Sequence, residues 1–200
     1  MVCGGSAAWA FNNRAQAYYR ERDYDDAIAD FTEVIRRDPT AEVLRLRGRA
    51  YSAKGDYDQA FADWTRSIGL DQAHTAYWLL WTYIEDGHTG KSGTPWAEMN
   101  KALAAGVTVA HLKREDWPYP IIEFYLGNRS AAEMLSAATK PNEQCEAQFY
   151  LGEWYMLRGN RAAATAALRI AVNACRKNFY EYDGAAAELT RMKRKASHSQ

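Results

Sequence analysis

Residues 85–94, EDGHTGKSGT, contain the Gly-Lys-Ser triplet of a phosphate-binding loop. That loop is spelled G-x-x-x-x-G-K-[ST], because a glycine at each end lets successive backbone N–H groups converge on an anion. Five positions before Gly90 stands Glu85, a carboxylate where the first glycine belongs, and Gly87 lies only three positions away. The spacing is too short for the cradle. Such a loop also follows a buried strand, and AYWLLWTYI at 76–84 reads as strand or helix until the surrounding periodicity decides.

Other chemistry is sparse. His74, His88, His111 and His198 are scattered, and neither H-E-x-x-H nor Cys-x-x-Cys occurs, so no metal or catalytic set is expected. A serine or cysteine nucleophile needs a base and an orienting group within hydrogen-bond reach, and the spacing suggests none. Asp23, Asp25 and Asp26 sit where a helix starts, and there carboxylates meet the positive end of the helix dipole. No cofactor is expected. The 200 residues carry 25 Lys plus Arg against 25 Asp plus Glu, so no net field draws nucleic acid or an anionic membrane. No apolar run reaches the roughly 18 to 20 residues that span a bilayer. The start, MVCGGSAAWAF, lacks the apolar stretch of a secretory signal. The chain is therefore either cytoplasmic, or it follows a removed signal and is periplasmic or secreted.

The elements that position these residues come from an internal repeat. FNNRAQAYYRERDYDDAIADFTEVIRRDP from Phe11 aligns with LRLRGRAYSAKGDYDQAFADWTRSIGLDQ from Leu44, an offset of 33 residues. The alignment pairs Ala15 with Gly48, Tyr18 with Tyr51, Tyr24 with Tyr57, Ala27 with Ala60, Phe31 with Trp64, and Pro39 with Gln72. Small residues let two antiparallel helices approach closely while the rings fill the space between neighbouring hairpins. A third copy, residues 145–175, places Gly152, Tyr155, Gly159, Ala164, Leu168 and Ala171 in the same register.

This series resembles the tetratricopeptide repeat. The resemblance implies an all-α, right-handed superhelical solenoid of about five helical hairpins and a C-terminal capping helix, forming one domain over 8–194. Its repeats would be 8–40, 41–73, a degenerate 74–106, a degenerate 117–140, and 145–177, followed by a capping helix over 178–194, with flexible termini at 1–7 and 195–200. In that register 76–84 is a first helix and 95–105 its partner, so GHTGKSGT becomes a lengthened turn. Ser130 is the expected N-cap of a short helix, and Pro118 and Pro120 delay the start of the one before it.

In the resembling family the first helix of each hairpin lines a concave groove. The matching positions here are Asn12, Gln16 and Tyr19, then Arg45 and Arg49, then Trp78, then Phe149 and Glu153. Amide, guanidinium and ring together suit an extended peptide, although Phe149 and Trp78 read equally as packing residues. The carboxylate clamp of chaperone-tail binders is not reproduced at Asn12, Gln16 and Leu46, which argues against a co-chaperone. A carbohydrate-binding module using Trp78, Trp81, Trp96 and Trp117 as stacking platforms is the alternative of another class.

A narrower resemblance lies in IIEFYLGNRS, QFYLGEWYMLRGN and NFYEYDGAAAEL, which are similar to the ending of the NlpI family of bacterial tetratricopeptide lipoproteins, through residues 117–192. It implies a periplasmic, non-enzymatic adaptor, often a homodimer, that recruits envelope proteases or peptidoglycan hydrolases. Cys3, preceded only by Met1 and Val2, reads either as a lipidated head group or as a plain cysteine. Cys145 and Cys175 fall at the two ends of one hairpin, which antiparallel packing brings together. They read as a disulfide, the mark of an oxidising compartment, or as two buried small hydrophobes.

Overall fold

The computed structural model describes residues 4–71, 75–90 and 116–197, and these form ten α-helices and no strand. Their contacts divide the chain into two compact units, Met1–Thr89 and Gly90–Gln200, where the repeat pattern alone draws one domain.

The first unit runs α1 (Gly4–Glu21), α2 (Tyr24–Arg37), α3 (Ala41–Lys54), α4 (Tyr57–Leu70) and α5 (Thr75–Thr89), each packed on the next. Local chemistry sets the boundaries. Asp23 Oδ1 accepts the Asp26 N–H at 3.4 Å at the start of α2, and Thr40 Oγ1 accepts the Val43 N–H at 3.3 Å at the start of α3. Gly55 ends α3 at φ 93°, a left-handed turn that glycine enters without steric cost. Residues 76–84 are helix throughout, so the strand that a phosphate loop requires is absent at this place. Lys91–Thr94, the proposed partner helix at 95–105, Trp96, His74, His111, His198 and Cys3 lie outside the described residues.

Small residues meet large ones inside both hairpins of this unit. Ala15 and Phe31 are enclosed in one core with Ala27, Val34 and Leu44. In the next hairpin the equivalent of Phe31 is the larger Trp64, and the equivalent of Ala15 is Gly48. A Cβ added at Gly48 would meet the Trp64 indole at 3.3 Å, so the extra ring volume is matched by the missing methyl.

The second unit contains α6 (Tyr119–Tyr125), α7 (Ala131–Ala137), α8 (Pro141–Leu157), α9 (Arg161–Ala174) and α10 (Tyr180–Ser197). Pro118 stands at the N-cap of α6, and a reciprocal Ser130/Glu133 capping box opens α7. Helices α8 and α9 form its central hairpin, and α10 packs against both. Helix α1 begins at Gly4, and α10 runs to Ser197, whose hydroxyl donates to the Arg194 carbonyl at 2.8 Å and closes the last turn. A disulfide joins Cys145, in the first turns of α8, to Cys175, directly after α9, with Cα atoms 4.9 Å apart.

The small-against-large rule is tightest here. A Cβ at Gly152 would lie 2.7 Å from both Cγ and Cδ2 of Leu168 and 3.3 Å from the Leu168 backbone nitrogen. Gly152→Ala is therefore expected to cost about 1–3 kcal/mol by overpacking. Gly69→Ala, where no atom lies within 4 Å, is expected to gain about 0.5 kcal/mol. Urea midpoints of the two variants check the contrast. Reduction of the 145–175 bridge in the wild-type chain, which reopens a loop of sequence separation 30, is expected to lower stability by about 3–4 kcal/mol, read as a melting shift with and without dithiothreitol.

Candidate functional site

The first helices of successive hairpins in the first unit, α1, α3 and α5, are tied to one another by side chains that cross between them. Arg49 of α3 lays its guanidinium 4.7 Å from the ring centre of Tyr19 on α1, and its Nε donates to the Tyr19 hydroxyl at 3.0 Å. Arg45 of α3 sits 4.6 Å over Trp78 of α5, and its two terminal nitrogens donate to Asp71 Oδ2 at 3.3 and 3.4 Å. Ser52 donates to the Glu85 carboxylate. Arg45 thus has a ring on one side and a carboxylate oxygen at its tip, and Arg49 meets both the ring and the hydroxyl of one tyrosine, which fixes the position of each. Asn12, Gln16 and Tyr19, one helical turn apart along α1, are half-buried, as is Arg49.

Trp78 is buried. It stacks on Trp64 with ring centres 5.4 Å apart and planes inclined by 18°, and Trp81 stacks on the same indole at 5.6 Å. Two of the four rings that sugar stacking needs are therefore enclosed, and a third, Trp117, gives its indole N–H to Glu146 at 2.6 Å. His88 stacks on Tyr57 at 4.4 Å.

Two expected groove residues are corrected. Phe149 is fully enclosed and Glu153 is 2 % exposed, and both belong to the second unit rather than to the face that carries the other six. The repeat register places them on an open side of a first helix. The helix that bears them, α8, has α6, α7, α9 and α10 of its own unit packed around it, and both side chains are covered.

Behind the α1–α3–α5 face lies a pair of interactions that the aromatic-and-small reading overlooks. Arg14 grips Asp30 through Nε and Nη2 at 2.6 and 2.7 Å. Arg47 grips Asp63 in the same way at 2.7 and 2.7 Å. The pairs are repeat equivalents, and each precedes by one residue the small-against-large contact of its hairpin (Ala15 with Phe31, Gly48 with Trp64). The second unit has Leu151 and Ala167 at these positions, both buried. Hydrogen bonding to the Asp63 carboxylate holds the Arg47 proton more firmly than usual, and Asp30 does the same for Arg14. A repeated Arg–Asp spacing of 16 in the sequence is the signal that could have found them.

A tetratricopeptide-repeat family model matches residues 12–74, which span both hairpins of the face and reach the start of α5. Asp63→Ala should cost about 3 kcal/mol, because the Arg47 side chain is only 16 % exposed and would lose its counter-charge. Asp30→Ala should cost less, since Arg14 is 57 % exposed and water can take the place of Asp30. Thermal melts of both variants measure the order.

Proposed function

We propose that the chain is a non-enzymatic adaptor that holds an extended segment of a protein partner against the α1–α3–α5 face of its first unit. The observation that carries this reading is the assembly of Asn12, Gln16, Tyr19 and Arg49 on one half-buried strip whose arginine is already immobilised by a ring. Binding to such a strip does not require ordering a free arginine, and amides beside it match the alternating donors and acceptors of a peptide backbone. The match of residues 12–74 to the tetratricopeptide repeat supports a protein rather than a small molecule as the ligand.

The partner class follows from two supports. Residues 117–192 resemble the NlpI family, whose members recruit cell-envelope proteases and murein hydrolases, and the Cys145–Cys175 bridge suits an oxidising compartment such as the periplasm. We read the partner accordingly as an envelope protease or a peptidoglycan hydrolase.

Crosslinking followed by affinity capture from the native envelope fraction tests this. The wild-type chain is expected to bring down a protease or murein hydrolase. Arg49→Glu combined with Gln16→Glu is expected to reduce that capture about tenfold or more without changing the helical circular dichroism. Undiminished capture by the double variant places binding elsewhere and ends the reading.

A further inference from the structure

At one end of the first unit, where α1, the close of α2 and the start of α3 meet, the surface opens into a cavity of about 540 Å³. That size lies within the roughly 300–1,000 Å³ of ligand-holding clefts. Its apolar floor is Ala8, Val34 and Val43, and Trp9 stands at its lip with 69 % of its surface exposed. Asn12 Oδ1 is buried there and accepts no hydrogen bond among the described residues.

The repeat supplies a template for what belongs in this corner. Thirty-three residues on, the counterparts of Asn12 and Asp38 are Arg45 and Asp71. In that second hairpin Arg45 fills the corner with its own guanidinium, bonded to Asp71 Oδ2 at 3.3 and 3.4 Å. In the first hairpin the arginine is replaced by the shorter, neutral Asn12. Asp38 keeps its place on the cavity wall with no ion-pair partner among the described residues, and the same holds for Glu42. Among the described residues the wall has one cation, Arg37, whose guanidinium lies 4.9 Å from the Phe11 ring and donates to Glu33 at 3.1 Å. Glu33 is shared with Arg36. That trio is left with one positive charge against the two carboxylates, so the balance at the corner is negative.

We infer that this cavity takes an arginine side chain presented by the partner protein, in the position that Arg45 occupies one repeat later. The guanidinium would donate to Asp38 and Asn12 Oδ1, lie near Glu42, and meet the Trp9 ring at the lip, so two acceptors in the corner gain donors. The inference rests on reading this unit as a protein-binding one and adds the chemistry of one anchor residue.

The test uses fluorescence anisotropy with a fluorescein-labelled Ser/Ala octapeptide carrying two central arginines and its counterpart carrying two glutamates. The arginine peptide is expected to bind saturably, at least about tenfold tighter than the glutamate peptide, and to weaken as sodium chloride is added. Asn12→Arg is expected to supply the missing guanidinium from within, pair with Asp38, and remove peptide binding while keeping or raising the melting temperature. Asp38→Asn is expected to weaken binding about tenfold without an internal competitor, and it serves if Asn12→Arg fails to fold. Equal affinity for the two peptides, or undiminished binding by both variants, overturns the inference. So does self-association in sedimentation velocity that Trp9→Ala abolishes, because the occupant would then be a second copy of the chain. Neither variant touches Gln16 or Arg49, so partner capture that still depends on those two would show that only the arginine anchor has failed.

Discussion

The architecture depends on one steric bargain made inside each hairpin. A residue with little or no side chain on the first helix faces a large one sixteen positions later on the second: Ala15 and Phe31, Gly48 and Trp64, Gly152 and Leu168. The members of each pair are adjusted to one another. Where the second helix carries an indole, the first gives up its last methyl, and where it carries a branched leucine pressed directly on the backbone, only glycine leaves room. Protein interiors are packed as closely as organic crystals, so neither member can change volume alone.

Once the helices lie this close, the residues flanking the contact are brought into register as well. One position earlier on each helix, the same geometry sets Arg14 against Asp30 and Arg47 against Asp63 at bidentate distance. The pairs add directionality to packing that has none of its own, because a planar guanidinium and a carboxylate meet well in few orientations. The helices so positioned then offer their remaining side to Tyr19, Arg45, Arg49 and Trp78, whose stacking ties one hairpin to the next. The candidate binding strip is in this sense a by-product of the core.

Much of the fold was legible because the repeat is carried by volume, and volume is written in residue type. The 33-residue offset locates α1 to α4, the aromatic run at 76–84 is helix as the register requires, and Ser130 caps α7 as its residue type and place suggest. The site was less legible. Position within a repeat says which way a side chain points from its own helix, but the number of other helices that arrive on that side is a property of the assembled unit. Phe149 and Glu153 are enclosed for this reason, since α8 has other helices of its unit packed around it. Trp78 is likewise enclosed, stacked on the buried Trp64 and covered by Arg45, a neighbour that the register places beside it. The Arg–Asp pairs escaped notice because charged residues on amphipathic helices are ordinarily solvated, and only their recurrence at a fixed interval distinguishes these.

The bridge between Cys145 and Cys175 also has a mechanical meaning. With the two ends of the α8–α9 hairpin covalently closed, tension applied along the chain passes from one sulfur to the other and leaves the segment between them, a sequence separation of 30, slack. About 100 Å of contour length is thereby withheld from any machine that pulls on either terminus, and such a machine would have to admit a doubled strand at this point.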